Sequence, residues 1–328
     1  MTTARHCFTR RDFGRLCAAA LFFRRLFLRA AGSAPLTWVA QPDASAGVER
    51  RYRADAQIVL LSIPVLHRAN VGDGAAVWRE SAAEDGAEVR LLEFTGRSAP
   101  ERAAGLNRFG MVQELSRTVG GPGAAAGNGA GMEAIYFGLM TSSPEESAAE
   151  ARKALHSNAK EVWFSAIEGR IGAGSIETAG ARFLAPARTS PAERGELMER
   201  ARQALASAPQ RKTEWNSAES APLPFLHALA SLLNRPGAAQ TRYAYNGRLY
   251  RLRVERAPDP KAAELYRAQR LIAPTAAVTR IAGSLSREEG GKPIEFRLWM
   301  EERAARPLPL RIEYQPKSYL RLTFEVQA

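Results

Sequence analysis

The sequence predicts a mainly β protein with a few helices, an α+β chain built on a curved antiparallel sheet or unclosed barrel with helices packed on its concave face. Three observations predict it. Four C-terminal segments alternate apolar with other residues: Tyr250, Leu252, Val254; Ile294, Phe296, Leu298, Met300; Leu308, Leu310, Ile312, Tyr314; and Leu320, Leu322, Phe324, Val326. Period two over such lengths is the pattern of half-buried antiparallel strands. The pair Asn246-Gly247, just ahead of the first segment, is a strong hairpin signal. The intervening Arg251, Arg253, Glu255, Glu295 and Arg297 can face water, whereas the apolar rows need a cover. About nine or ten strands of this kind are expected.

Residues 1–34 read as an export signal. Thr9-Arg10-Arg11-Asp12-Phe13-Gly14-Arg15 resembles the twin-arginine signature through Arg10, Arg11 and Phe13, with Gly14 where the pattern prefers Leu. An apolar stretch follows from Leu16, is interrupted by Arg24-Arg25 and resumes before Ala30-Ala31-Gly32-Ser33-Ala34. Charged region, apolar region and small-residue site are in the order of a secretory leader, with Ala34 or Ala46 as the cleavage point. The alternative is a basic, disordered cytosolic arm. The expected handlers are the twin-arginine or general export machinery, and the expected location is the periplasm. Both cysteines, Cys7 and Cys17, fall within this segment, so the remainder has no disulfide and no thiolate metal site. A spanning helix needs about 20 apolar residues in a row, and no segment supplies them.

The formal charge of +12 is divided. Residues 1–34 hold seven arginines and one aspartate, leaving 39 basic and 33 acidic residues interspersed through the rest. A nucleic-acid binder clusters its cations on one face with aromatics for stacking. Arg248, Arg251 and Arg253 are the nearest approach to such a patch and read as a solvated strand face. No nucleic-acid partner is expected.

Residues 35–47 read as a tether and 48–183 as an N-terminal β-rich half with one or two helices. A long strand is expected from Glu49 to Val65, a turn at Val71-Gly72-Asp73-Gly74, a return strand from Ala75, and a third strand over Val89–Phe94. Pro100–Arg117 takes a helical period. Gly120–Gly131 is loop, and Glu133–Met140 is strand. Ser143-Pro144-Glu145-Glu146 has the cap, first-turn proline and glutamate of a helix start, leading Ala148–Leu155. Strands follow over Glu161–Ile167 and Gly174–Phe183. Residues 184–238 read as a helical insertion and lid: Ser190-Pro191-Ala192-Glu193 repeats the helix start, and Leu223–Leu233 is an apolar helix stopped by Asn234, Pro236 and Gly237. Residues 239–328 read as antiparallel strands and turns throughout.

No residue is assigned to catalysis, cofactor or metal. His6, His67, His156 and His227 have no metal-ligand spacing. No Gly-x-Ser-x-Gly elbow occurs. Glu145-Glu146, Glu288-Glu289 and Glu301-Glu302 are adjacent pairs, which strand geometry sends to opposite faces. The Gly-Asn-Gly-Ala-Gly run lacks the lysine of a phosphate cradle. An outer-membrane barrel is disfavoured, because the outward rows carry Arg and Glu. What remains is an apolar lining: Phe225, Leu229, Leu232, Phe296, Leu298, Leu310, Ile312, Leu322 and Phe324, with Trp163, Phe164, Trp299 and Tyr314 as further aromatics for lining or core.

The C-terminal third, residues 222–328, resembles an uncharacterised family of exported bacterial β-sheet proteins, a domain of unknown function. The resemblance rests on Phe225-Leu226-His227-Ala228-Leu229, Tyr245-Asn246-Gly247-Arg248-Leu249-Tyr250, Phe296-Arg297-Leu298-Trp299-Met300 and Arg306-Pro307-Leu308-Pro309-Leu310-Arg311-Ile312-Glu313. That family is similar in fold to lipoprotein-carrier half-barrels. The resemblance implies an envelope location and handling of a lipid or acylated protein, and no catalytic residues. Two functions are therefore open: non-covalent binding of an apolar ligand in a half-barrel, or an envelope structural or interaction module with a filled core.

Overall fold

The computed structural model describes residues 47–60, 63–83, 86–103, 108–118, 132–142, 161–172, 174–186, 193–215, 221–235, 237–302, 304, 306–317 and 320–327. The expected export signal with Arg10, Arg11 and Phe13, the glycine-rich run, the helix expected over Ala148–Leu155 and the expected Ser190-Pro191 cap lie outside them.

The strands are β1 (Gly47–Leu60), β2 (Ile63–Ala82), β3 (Glu88–Ser98), β4 (Phe109–Thr118), β5 (Met132–Ser142), β6 (Glu161–Gly172), β7 (Ser175–Pro186), β8 (Gln210–Glu214), β9 (Leu223–Pro224), β10 (Gln240–Tyr245), β11 (Arg248–Pro258), β12 (Val278–Arg287), β13 (Ile294–Glu301), β14 (Arg311–Lys317) and β15 (Leu320–Val326). The helices are α1 (Arg194–Ala206), α2 (Phe225–Leu233) and α3 (Pro260–Ala268). Among the described residues, the fifteen strands form one unclosed sheet, ordered β8-β7-β6-β5-β4-β3-β2-β1-β15-β14-β13-β12-β11-β10-β9. The fold is therefore mainly β, with more strands than the nine or ten expected. Every pairing is antiparallel except β9 with β10.

One seam joins the two ends of the chain. Tyr52 to Ile58 on β1 pair with Val326 to Leu320 on β15. Across it runs a row of alternating charge on five neighbouring strands: Arg311, Glu325, Arg53, Asp73 and Arg97 stand in mutual register. The Arg97–Asp73 contact is 2.8 Å and the Arg311–Glu325 contact 3.5 Å. Opposite charges facing across strands stabilise by about 0.2–1 kcal/mol each. On the other face of the same strands stand Tyr52, Ala54, Phe324 and Ile312.

The sheet curls back on itself. Tyr136 of β5 stacks on Tyr245 of β10 with ring centroids 5.8 Å apart, although nine strands separate them in the sheet order. The main core accordingly unites Ala134, Tyr136, Ile167, Ile171 and Ile176 with Tyr243, Leu252, Val254, Ile281, Phe296 and Leu298. Two glycines permit the close packing. A Cβ on Gly169 would lie 2.3 Å from the Tyr136 ring, and one on Gly283 would lie 2.0 Å from Phe296. Both positions face an aromatic across the strand pair, where only hydrogen fits.

The three helices do not share a face. Alternation places Phe296, Leu298 and Met300 in the main core and Trp299 on the opposite side of β13, under Ala263 and Tyr266 of α3. Likewise Phe137, Leu139 and Phe164 pack beneath Leu197, Ala201 and Leu205 of α1, opposite Tyr136. Only α2 joins the core to which Tyr136 and Leu298 belong.

Several local expectations give way. The helical period expected over Pro100–Arg117 gives way from Phe109 on: Phe109–Thr118 is β4, paired on both edges. Apolar Phe109, Met111 and Leu115 alternate with Val112 on two buried faces, and the mixture imitates a helical period. Glycines 72 and 74 do not turn the chain but sit within β2; a Cβ on Gly72 would meet the Arg97 carbonyl at 2.1 Å. The strand expected to reach Val65 ends at Leu60, and β2 begins at Ile63. The insertion contributes strand β8 as well as helix α1, and α1 starts at Arg194 without a side-chain cap. Leu308 and Leu310 precede β14, and α3 interrupts a region read wholly as strand. Asn246 (φ 50°) and Gly247 (φ 64°) do form the primed hairpin turn.

Candidate functional site

The candidate site is the seat of α2. This nine-residue helix is apolar apart from His227 and Ser231 and packs against β3, β4, β9, β10 and β11. Ala228 and Leu232 are buried in the main core, with Phe225, Leu229 and Leu233 half-buried against it. Ala230 and Leu226 pack instead with Tyr52, Trp78, Leu92 and Phe94. The helix thus bridges two clusters on one sheet face.

Both of its ends are tied by distant side chains. Pro224 at the N-cap offers no side-chain acceptor. The carboxylate of Glu114 on β4, fully buried, takes that place: Leu226 N–H donates to Oε1 at 2.9 Å and His227 N–H to Oε2 at 3.0 Å. A negative group at a helix N-terminus satisfies orphan donors and complements the macrodipole. The His227 Nδ1 lies 3.1 Å from Oε2, while its Nε2 is buried with no hydrogen-bond partner among the described residues. At the other end the Arg256 guanidinium donates to the carbonyls of Leu232, Ala238 (2.8 Å) and Arg235 (3.3 Å). Cations complement that end of a helix.

Around the helix stands an aromatic wall. Tyr243 stacks on Tyr250 with centroids 4.9 Å apart, and Phe225 lies 5.3 Å from Tyr243. Burial pushes the Tyr136 hydroxyl up to about 12, offset in part by Thr178, whose Oγ1 is 3.4 Å away. Burial also raises Tyr243 and Tyr52 far above the ordinary phenol value. These phenols are neutral and serve as packing groups with a polar tip. Carboxylate and imidazole here orient backbone; His227 Nε2 reaches no hydroxyl or thiol among the described residues. Farther along the same face Val48, Glu80, Ala304 and Arg306 line a cleft of about 420 Å³. Glu80 there is paired with Arg90 at 2.8 Å and Arg306 at 3.6 Å.

The structure divides the residues that the sequence offered as lining. Phe225, Leu229, Leu232, Phe296, Leu298 and Ile312 meet in one cluster. Phe324 joins the adjoining cluster with Tyr52 and Trp78. Leu310 is on the other side, with Trp299 and Tyr266 beneath α3. Leu322 is half-buried, in register with Ala56 and Tyr314. Phe164 packs under α1, and Tyr314 borders the main core. Glu114, Arg256, Tyr136 and Tyr243 were not singled out by the sequence. The available signal was Glu114, the acid within Met111-Val112-Gln113-Glu114-Leu115, a run that makes sense only if something buried needs a carboxylate.

No family model and no curated protein matches the chain. Among solved structures it is similar to a crystal structure of a β-barrel-like protein of domain of unknown function DUF1849 from Brucella abortus, at 7% identity and a TM-score of 0.41, over 85% of this chain and 95% of that one.

Proposed function

We propose that this protein is an exported, non-enzymatic interaction module of the cell envelope, a half-barrel whose concavity is filled by its own helix α2. The observation that carries the reading is the double tether: Glu114 on one end of α2 and Arg256 on the other, with Ala228 and Leu232 at most 2% exposed. A helix tied at both ends and buried between facing strands behaves as core. The surface left for partners is then the exterior of the sheet. The test is lipid extraction and native mass spectrometry of protein purified from the envelope. A ligand-free protein that also takes up no fluorescent fatty acid is expected; a stoichiometric lipid would overturn the filled-core reading.

A second reading has α2 as a removable plug in a carrier of lipid or acylated protein. Two buried nitrogens without a partner among the described residues, Trp78 Nε1 and His227 Nε2, favour it, because they mark imperfect satisfaction at the helix's seat. In that case Glu114→Gln, which weakens the tether, increases fatty-acid uptake. Export is tested apart from either: Arg10→Lys with Arg11→Lys should leave the precursor in the cytoplasm, and normal export would remove the twin-arginine assignment.

A further inference from the structure

The β1–β2 hairpin outruns the sheet that supports it. Pairing of β1 with β15 ends at Ile58, opposite Leu320. Pairing of β2 with β3 begins only at Gly72, opposite Ser98. Among the described residues, β2 from Ile63 to Asn70 therefore pairs with β1 alone. A bulge sets this arm off: Ala54 faces Gly72 and Ala56 faces Arg68, so that Ala69, Asn70 and Val71 stand against Asp55. Asn70 takes a left-handed φ of 54° and donates its N–H to Asp55 at 2.8 Å.

The arm is exposed along its β2 side, while on β1 Val59 is buried and Ala56 to Ile58 are half-buried. Five consecutive residues, Val65 to Ala69, are exposed, Val65 at 53% and Leu66 at 47%. Successive strand residues point to opposite faces, so over Val65–Ala69 the β2 stretch is open on both. Two exposed large apolar side chains on adjacent positions are not the scattered kind that needs no explanation. The sequence from Val59 to Leu66 carries no charge. Directly behind it come His67 and Arg68, with Arg53 farther back on β1, opposite Asp73. Asp55 is the acid among them, 3.6 Å from Arg53 and 3.6 Å from His67. Arg68 has no ion-pair partner among the described residues.

An added strand is the obvious partner for a free edge, yet this edge is guarded. Pro64 has no N–H to give, and the bulge at Ala69–Val71 breaks the ladder. Both are devices that stop strand pairing. An apolar end with a cationic collar fits a different surface. We propose that the β1–β2 arm docks on an anionic lipid bilayer, Val65 and Leu66 entering the interface and Arg68 with Arg53 reaching the phosphates. This placement does not depend on export or on whether α2 ever leaves its seat.

The test uses the purified full chain and vesicles of phosphatidylcholine, with and without phosphatidylglycerol. Hydrogen exchange read locally over Val65–Ala69 should slow by about tenfold or more with the anionic vesicles, as for amides that leave bulk water. In flotation, Val65→Asp with Leu66→Asp should weaken binding by about tenfold for each side chain. Arg68→Glu should abolish the preference for phosphatidylglycerol, and Leu265→Asp, an exposed leucine on α3, should change nothing. Val65→Ser with Leu66→Ser repeats the test if the aspartates lower the melting temperature. Unchanged exchange over Val65–Ala69, or equal binding by the double variants, overturns the proposal. So does a double variant that instead converts a dimer to a monomer, which would assign the arm to a second copy of the chain.

Discussion

Helices α2 and α3 are each nine residues long, and they are held by different means. Neither length is stable as an isolated helix in water. For α3 the start signal is its own neighbour: Asp259 accepts from Ala262 N–H at 3.0 Å, with proline at the first position. The second Asp259 oxygen takes the Trp299 indole N–H at 2.9 Å, and Tyr266 donates to Glu325 at 2.6 Å. For α2 the cap is Glu114, 112 residues from Leu226, on a strand across the fold. One face of α3 remains wet, with Leu265 48% exposed, whereas α2 is wrapped. The difference teaches where each helix gets its stability: α3 can begin locally and then dock, while α2 has no cap until β4 and β11 are in place.

The comparison breaks most visibly at Glu114. Glu114→Ala leaves two buried N–H groups and the His227 ring without an acceptor, and a destabilisation of roughly 3 kcal/mol or more is expected by chemical denaturation. Because α2 depends on the whole sheet, the loss should be global, with all probes shifting together. An unchanged unfolding midpoint would mean that the tether is incidental. Arg256→Met comes next: it keeps the aliphatic packing and removes the donors to Leu232, Ala238 and Arg235, for about 1–3 kcal/mol. Asp259→Ala is smaller, about 1 kcal/mol. Its effect should appear first in hydrogen exchange of α3 rather than in the global transition. If Asp259→Ala unfolds the sheet as a unit, the distinction between local and long-range support is wrong.

How far each helix was legible follows from the same contrast. The apolar run Phe225–Leu233 announces a buried helix, and the structure has one. What holds it was invisible, since Glu114 and Arg256 sit far away in sequence and neither local pattern points at the other. For α3 the position is reversed. Asp259-Pro260 is the same cap-and-proline device recognised at Ser143-Pro144 and Ser190-Pro191, yet the strong alternation on both sides made the region read as strand. The strands at Tyr250–Val254 and Ile294–Leu298 were legible because one face is wetter than the other, although Trp299 just beyond is buried under α3. Strand β4 was not, because both of its faces are buried and the alternation vanishes. The lining was half legible for a related reason: Leu310 has the parity of Ile312 in sequence but precedes β14, so parity does not carry across to it. The curl that brings Tyr136 to Tyr245 left no mark in the sequence at all, since it joins strands at opposite ends of the sheet order.

The smallest expected effect sharpens the contrast through pH. The hydrogen bond from Ala262 N–H outweighs the opposing effect of burial and, with a lesser contribution from the Trp299 indole, holds the Asp259 carboxyl below its ordinary value. A carboxyl whose folded value is depressed contributes stability above its unfolded value and loses it as pH falls through the folded one. The cap on α3 should thus be fully present above the unfolded carboxyl value of about 4 and fade as pH falls below it. Glu325, on the seam below α3, has the opposite sign. Burial raises it, with Tyr266 and Arg311 acting the other way, so its contribution is greatest at low pH and declines as pH rises through the raised value. Asp259→Asn keeps a good capping side chain that does not titrate, and Glu325→Gln removes the other titration. Exchange of the α3 amides measured from acid to neutral pH should lose its acid-side weakening in the first variant and its alkaline-side decline in the second. A profile unaffected by Asp259→Asn would show that α3, like α2, is held by its packing and not by the residue beside it.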